Sequence, residues 1–394
     1  MPIRTIDDLG DLSGKTVILR ADFNVPLKNG VIGDDTRLKA TLPTIEALLK
    51  KNARIVMLSH LGRPDGQPNT AYSLQPVAEA LAALLGRAVA FTPDCLTTPD
   101  EGDLVLMENL RFYAEEEKND RAFAEKLAAH GDIFVNDAFS TAHRAHASTH
   151  ALAQLRPACA GLLMAAEIRA LDAALENPER PVAAVVGGAK VSTKLDVLTH
   201  LIKKTDLLIL GGGMANTFLA AQGFAVGKSL HEADMLDTAR RIISEAEAQN
   251  CRLVLPLDVV VAEEFAENAP SSCVDVNAIA AEKMALDLGT KSIQHIISAL
   301  ESCKTVLWNG PLGAFEIKPF DAATVAVAQY VAQRTQKGSL TSIAGGGDTV
   351  AALAAANAKD GFSYVSTAGG AFLEWIEGKT LPAIAVLEDA AKAA

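Results

Sequence analysis

Uninterrupted apolar runs of five or six residues recur along the chain. Each breaks off into a polar or glycine-rich turn and then a stretch with apolar residues three and four apart. The first half contains TVILR (16–20), RIVML (54–58), DLVLM (103–107) and DIFVN (132–136). The second half contains PVAAVV (181–186), DLLIL (206–210), RLVLP (252–256), TVLWN (305–309), SLTSIA (339–344) and FSYVS (362–366). Helical periodicity fills intervals such as TLPTIEALLKK (41–51), SLQPVAEALAALLG (73–86) and TVAALAAANA (349–358). Apolar strands alternating with helices predict parallel sheets covered on both faces, a doubly wound α/β fold. Sheets of that kind bind ligands beyond the carboxyl ends of their strands. The strand exits are therefore where chemistry is to be sought.

A chain of 394 residues exceeds what one core usually organises, which predicts two domains. The stretch LLMAAEIRALDAALENPERP (162–181) reads as a long helix, ended by Asn177-Pro178, between the two strand series. It is either an ordinary packed helix or a connector. The expected boundary lies near residue 164, giving a first domain over 1–164 and a second over 165–379.

The two series differ at their exits. Those of the first present Arg20-Ala21-Asp22-Phe23-Asn24, then His60 and Arg63 in SHLGRP, then Glu108-Asn109-Leu110-Arg111, then His143-Arg144-Ala145-His146, and Arg37 lies in DDTRL. One arginine after a strand is ordinarily a solvated surface residue. Five on one sheet repel one another unless an anion neutralises them, and guanidinium suits bidentate, pH-independent recognition of phosphate or carboxylate. A small, multiply charged anion is expected, with Asp22 and Asn24 accepting hydrogen bonds from its hydroxyls. A stability-only account would need the arginines paired with Asp22, Glu108 and Asp137. His143, His146 and His150 fit no known metal-ligand pattern.

Exits of the second series present glycine: Gly187-Gly188-Ala189-Lys190, Gly211-Gly212-Gly213, Asn309-Gly310-Pro311, Gly345-Gly346-Gly347-Asp348-Thr349 and Ala368-Gly369-Gly370. Glycine lets backbone N–H groups approach a ligand, and a following helix N-terminus adds positive potential. Together they read as a phosphate and nucleotide cradle. Lys190 and Lys194 lie four apart at the expected start of a helix, as phosphate contacts or as a solvated face. Asp348 reads either as an N-cap or as a carboxylate for Mg²⁺. GFAVGKS (223–229) lacks P-loop spacing, and no G-x-G-x-x-G fingerprint follows a strand, which weighs against a nicotinamide-dependent oxidoreductase.

Composition narrows the classes further. A net charge of −12, acidic in both halves, lacks the broad basic face that nucleic-acid binding requires. Five scattered cysteines without a C-x-x-C pair suggest reduced, mostly buried thiols. The N-terminus MPIRTIDDLG has no apolar signal core and no run is long enough to span a bilayer, so no membrane association and a cytoplasmic location are expected. A secreted two-lobed solute-binding protein fits less well for the same reason.

The ordered motifs RADFNVP, SHLGRP, ENLRF, HRAH, GGAKVSTK, NGPLGAFE and GGGDT closely resemble those of phosphoglycerate kinases. The resemblance implies two Rossmann-like domains joined by a helix and hinge, with 380–394 returning to the first. It implies binding of 3-phosphoglycerate or 1,3-bisphosphoglycerate by Asp22, Phe23, Asn24, Arg37, His60, Leu61, Gly62, Arg63, Arg111 and Arg144. For ATP or ADP it implies Gly187, Gly188, Lys190, Lys194, Gly211, Gly212, Asn309, Pro311, Glu316, Gly345, Gly346, Gly347, Asp348 and Thr349, with Mg²⁺ on Asp348. Arg37, Lys190 and the backbone donors of Gly346, Gly369 and Gly370 would stabilise the transferring group. The resemblance also implies a monomer. Position 368 departs from it, being alanine where many members carry glycine.

Overall fold

The computed structural model describes residues 3–98 and 102–392. Residues 1, 2, 99–101, 393 and 394, included in the expected first domain, lie outside the described residues. The chain divides into two compact units, one running up to Arg169 and resuming at Thr380, the other Ala170–Lys379. It passes between them inside the helix Leu162–Leu171, which continues as a wider turn over Asp172–Glu176 and stops before Asn177-Pro178.

The sheet of the first unit is built from β1 (Thr16–Arg20), β2 (Arg54–Leu58), β3 (Ala90–Thr92), β4 (Leu104–Met107), β5 (Ile133–Asn136) and β6 (Ala158–Ala160). All pairings are parallel, in the order β3-β4-β2-β1-β5-β6. Side chains of β1 such as Val17 and Leu19 pack with Ile45 and Leu48 of helix Thr36–Lys50 and with Val77 and Leu81 of helix Gln75–Leu85. The C-terminal helix Pro382–Lys392 belongs to this unit, where Ala383 donates to the Ala142 carbonyl at 3.1 Å.

In the second unit β7 (Val182–Val186), β8 (Leu207–Leu210), β9 (Arg252–Val254), β13 (Thr305–Asn309), β14 (Thr341–Gly345) and β15 (Tyr364–Ser366) form another all-parallel sheet, ordered β9-β8-β7-β13-β14-β15. Its core centres on Trp308, Ile209 and Val327. Both parallel sheets follow the expected doubly wound pattern. A third sheet does not: β10 (Asp258–Ala262), β11 (Ser271–Asp275) and β12 (Met284–Leu288) pair antiparallel in the order β11-β10-β12. The short edge strands β3 and β6 were also absent from the sequence expectation. Cysteines 95, 159, 251 and 303 are buried and free, whereas Cys273 is exposed.

Candidate active site

In each sheet the strand order reverses beside the first strand, at β1/β5 and at β7/β13, and the chain ends that flank such a point splay apart to leave a crevice. The predicted site residues gather at these two places.

Around the exit of β1 the loops are laced together before any ligand arrives. Phe23 donates its N–H to Ser59 Oγ at 2.9 Å, and Gly62 donates to Asn24 Oδ1 at 2.9 Å. Asn109 grips both sides of Leu61, accepting from its N–H at 3.2 Å and donating to its carbonyl at 2.7 Å. Arg111 Nη1 donates to the Gly62 carbonyl at 2.8 Å. Phe23 and Leu61 are buried, and their N–H groups are given to Ser59 and Asn109, so both residues build the loops.

Both expected hydroxyl acceptors already carry protein partners. Asn24 Oδ1 is taken by Gly62, which leaves its amide hydrogens as donors, while Asp22 already accepts from Arg37, Ser140 and the Asn24 N–H. Burial works against ionisation of Asp22, but Arg37, Ser140 and the Asn24 N–H favour it, and the carboxyl stays below its usual range. Of the three carboxylates that pairing of the arginines would have needed, only Asp22 serves. Glu108 accepts from Ser73 Oγ at 2.7 Å and the Leu74 N–H at 2.8 Å. Asp137 accepts from the N–H groups of Leu163 and Met164 and so caps helix Leu162–Leu171.

Arg63 is exposed and, among the described residues, has no ion pair, and Arg144 contacts the neighbouring His143 at 3.1 Å. Arg111 has Glu117 at 3.2 Å. Burial lowers the Arg111 pKa, and Arg144 and Arg63 add to that by repulsion while Glu117 opposes it. The basin thus holds more cationic than anionic charge at its mouth.

The second unit works through its main chain. A Cβ on Gly187 would run into the Pro311 carbonyl, and Gly310, at φ +106°, faces Gly187 equally closely, so glycine is obligatory on both sides of the crevice. Lys194 Nζ donates to the Gly187 carbonyl at 2.7 Å, to Asn309 Oδ1 at 2.6 Å and to the Asn309 carbonyl at 3.0 Å. Burial lowers its pKa to about 8, against the pull of Asp348. Asn309 also donates to the Gly345 carbonyl at 2.8 Å, and Thr349 Oγ1 accepts from the Gly310 N–H at 2.7 Å, tying the β13 and β14 exits together.

Helices Gly212–Ala221, Gly347–Ala355 and Gly370–Ile376 start at these exits, with Gly211, Gly346 and Gly369 as their caps. Asp348 therefore lies inside the first turn and is exposed, rather than being the cap. Lys190 is exposed, and the helical part of its segment begins only with the single turn Ser192–Lys194, followed by helix Leu195–Lys204.

A cavity of about 310 Å³ is walled by Gly187 to Lys190, Lys194, Asn309 to Pro311 and Gly346 to Thr349. A second, of about 470 Å³, shares Gly188, Pro311 and Asp348 with it and extends over Gly212, Leu230, Val259, Met284, Leu286 and Leu312 to Glu316. The first has the polarity of a phosphate cradle, and the second, apolar with a carboxylate at its rim, suits a flat base and a sugar. Val259, Met284 and Leu286 come from the antiparallel sheet and were not foreseen. The run DVVVA (258–262) was the available signal.

Guanidinium groups at the exits of one sheet and glycine turns at those of the other suit a two-substrate phosphotransferase. The phosphoglycerate kinase family model matches residues 6–379. Phosphoglycerate kinases of Chelativorans sp. (strain BNC1) and Sinorhizobium medicae are 54% and 55% identical, each over 98% of this chain and 99% of their own length. Among solved structures, that of phosphoglycerate kinase from Coxiella burnetii superposes with a TM-score of 0.95 at 45% identity over the whole of both chains. The enzyme from Pyrococcus horikoshii gives 0.79 at 30% identity over 99% of this chain and all of its own. The chain belongs to the phosphoglycerate kinase family. Its reaction is the reversible glycolytic transfer of a phosphoryl group from 1,3-bisphosphoglycerate to ADP, giving 3-phosphoglycerate and ATP, with a carboxyl group as acceptor in the reverse direction. No helix among the described residues is long and apolar enough to cross a membrane.

Proposed function

We propose that the basin of the first unit holds the phosphoglycerate through Asn24, Arg37, His60, Arg63, Arg111 and Arg144. Asp22 orients Arg37, and Phe23, Leu61 and Gly62 shape the loops that carry these groups. The nucleotide lies in the paired cavities of the second unit, its phosphates against Gly187, Gly188, Lys190, Lys194, Gly211, Gly212, Asn309, Pro311 and Gly345 to Thr349, its ribose near Glu316. The observation that carries this reading is the gathering of Arg63, Arg111 and Arg144 at the strand exits of one sheet, where Arg63 and Arg144 have no ion pair among the described residues and a multiply charged anion would offset their charge.

Asp348 alone offers a carboxylate beside the cradle, and the described residues contain no cluster of three ligating side chains. That donor set fits Mg²⁺ arriving with the nucleotide, which neutralises phosphate charge and takes its other ligands from phosphate oxygens and water.

A substrate carboxylate is ionised at neutral pH, so no general base is required. The residues have to align donor and acceptor oxygens, exclude water and stabilise the three equatorial oxygens in transfer. We assign that charge to Arg37 and Lys190, assisted by the backbone N–H groups of Gly346, Gly369 and Gly370. Because the ligand sets belong to different units, transfer requires a closing movement that brings the two substrates within bonding reach. The reading extends to a monomer, since each unit holds a full ligand set, and to the cytoplasm, where five free thiols persist.

Arg37→Ala tests the assignment. It should lower kcat by about 10²- to 10³-fold, as loss of one transition-state donor does, with KM for ATP almost unchanged. Equal losses in both would remove Arg37 from the transferring group.

A further inference from the structure

Behind the basin runs a line of buried polar groups that binding does not use directly. Arg20, the last residue of β1, is 1% exposed and, among the described residues, touches no carboxylate. Its Nε meets Ser148 Oγ at 2.8 Å, its Nη2 meets His60 Nδ1 at 3.1 Å, and its Nη1 donates to the Ala21 carbonyl. Ser148 in turn reaches Glu116, with its hydroxyl 2.6 Å from Oε1 and its N–H 3.0 Å from Oε2. Glu116 is fully buried.

Arg20 fixes the bond directions at both of its ends, and the rest of the line follows with Glu116 as a carboxylate, the form that Arg20, Ser148 and Arg111 favour against the burial that raises its pKa. Arginine has N–H donors and no acceptor. Ser148 Oγ therefore accepts from Arg20, and its single hydrogen goes to Glu116. Both oxygens of Glu116 then accept, which the ionised carboxylate satisfies, and its charge reaches Arg20 through one hydroxyl. At the other end His60 Nδ1 must be the acceptor. An imidazole whose Nδ1 carries no proton is neutral and bears its hydrogen on Nε2.

We propose that Glu116 and Ser148 are positioning residues that act through Arg20 to lock His60 as the Nε2–H tautomer, so that the ring offers the anionic substrate a hydrogen-bond donor whose state does not change with pH. The role toward substrate rests on the reading of the basin given above, whereas the lock does not. The surroundings agree with it. Burial holds the His60 pKa well below its ordinary value, Asp22 opposes this, and Arg20, Arg111 and Arg37 reinforce it. Arg111, Cys95 and His146 also stand near Glu116; His146 lies 3.9 Å away, and its pKa is driven to about 3 by burial and by Arg20, Arg111 and Arg144. A neutral His146 does not compete for the Glu116 charge.

The test uses the full chain with ¹⁵N-labelled histidine, the His60 ring being assigned by comparison with His60→Gln. Without ligand, Nδ1 should show the shift of an unprotonated nitrogen and Nε2 that of a protonated one, both constant between about pH 5.5 and 8. In Ser148→Ala and Glu116→Gln the ring should sample the other tautomer or begin to titrate. KM for 3-phosphoglycerate should rise about tenfold while KM for ATP stays within about twofold. Protonated Nδ1 in the unaltered protein overturns the lock, and this measurement needs no variant to fold. Ring signals that ignore both substitutions overturn the role of Glu116 and Ser148. Signals that respond with no change in KM overturn the role toward substrate and leave the lock standing.

Discussion

In the proposed reading the two units meet the same physical demand, holding an oxyanion, with opposite materials. The first uses long side chains: Arg111 is held by the Gly62 carbonyl, Arg37 by Asp22, and Arg63 is left at the surface. The second uses the main chain, with Gly187 and Gly310 pressed together and three helices opening at Gly211, Gly346 and Gly369. A guanidinium is added to a finished loop, whereas an amide cradle is the loop itself. Binding and folding should therefore separate in the first unit and stay coupled in the second.

The largest effect should come from breaking that coupling. In Gly187→Ala the new methyl meets the Pro311 carbonyl, and the Gly187 N–H bond to the Asn309 carbonyl, 3.0 Å long, has to give. Overpacking of this kind costs about 1–3 kcal/mol, and the displaced cradle should lower kcat/KM for ATP by about 10²-fold, in line with misplacement of a reacting group by an ångström. Arg63→Ala should instead raise KM for 3-phosphoglycerate about tenfold with no loss of thermal stability, because it removes a repelled surface cation. Parallel thermal melts and steady-state assays would decide. A destabilised Arg63→Ala or a fully stable, weak-binding Gly187→Ala would erase the distinction.

An intermediate effect concerns a device that both units share. Each caps a helix with an aspartate contributed by its sheet: Asp137 for helix Leu162–Leu171, and Asp287 on β12, which accepts from the Ala323 N–H of helix Ala322–Gln336 at 3.0 Å. Burial raises Asp137 to about 6 and Asp287 to about 7, each with one oxygen unpartnered. A carboxyl with a raised folded pKa keeps its proton in the folded chain after the unfolded chain has lost it. Stability therefore falls as pH rises from about 4 through the folded value, through about 6 for Asp137 and about 7 for Asp287. The advantage of Asp287→Asn over the unaltered protein in unfolding free energy, measured by urea denaturation, should grow by about 2 kcal/mol between pH 5 and pH 8. An advantage that does not grow would mean that the site tolerates the charge.

How much of this was legible in the sequence follows the same division. Strands such as RIVML and TVLWN announce themselves because a strand buried on both faces is apolar without interruption, and the arginines and glycines stand directly at their ends. The partners of those residues were less visible. Nothing in local spacing says that Asn24 would spend its oxygen on Gly62, or that Glu108 would serve Ser73 rather than an arginine, because such pairings join loops far apart in the chain. The antiparallel sheet was missed for a related reason: Ser271–Asp275 is an exposed edge strand with no apolar period to betray it. The apolar half of the nucleotide cavity was lost with it. Asp348 was ambiguous because glycines at 346 and 347 let the helix begin earlier than the first good capping residue would indicate.

The smallest effect is expected at position 368, which carries alanine where the resemblance implied glycine, and it measures how much of the cradle depends on glycine. Ala368 is buried, accepts from the Ala371 N–H at 3.2 Å and donates to Ser366 Oγ at 3.2 Å, and its backbone is not left-handed, whereas Gly369 has φ +46°. Alanine therefore costs no conformational strain there and lowers the entropy of the unfolded chain. Ala368→Gly should lower stability by about 0.5–1 kcal/mol and change KM for ATP by less than about twofold. Gly369→Ala, one residue on, would place a methyl in the conformation that L-residues avoid. If Ala368→Gly proved neutral in stability while tightening ATP, the methyl at 368 would be pressing on the nucleotide, and the cradle would demand glycine beyond the positions where backbone geometry alone requires it.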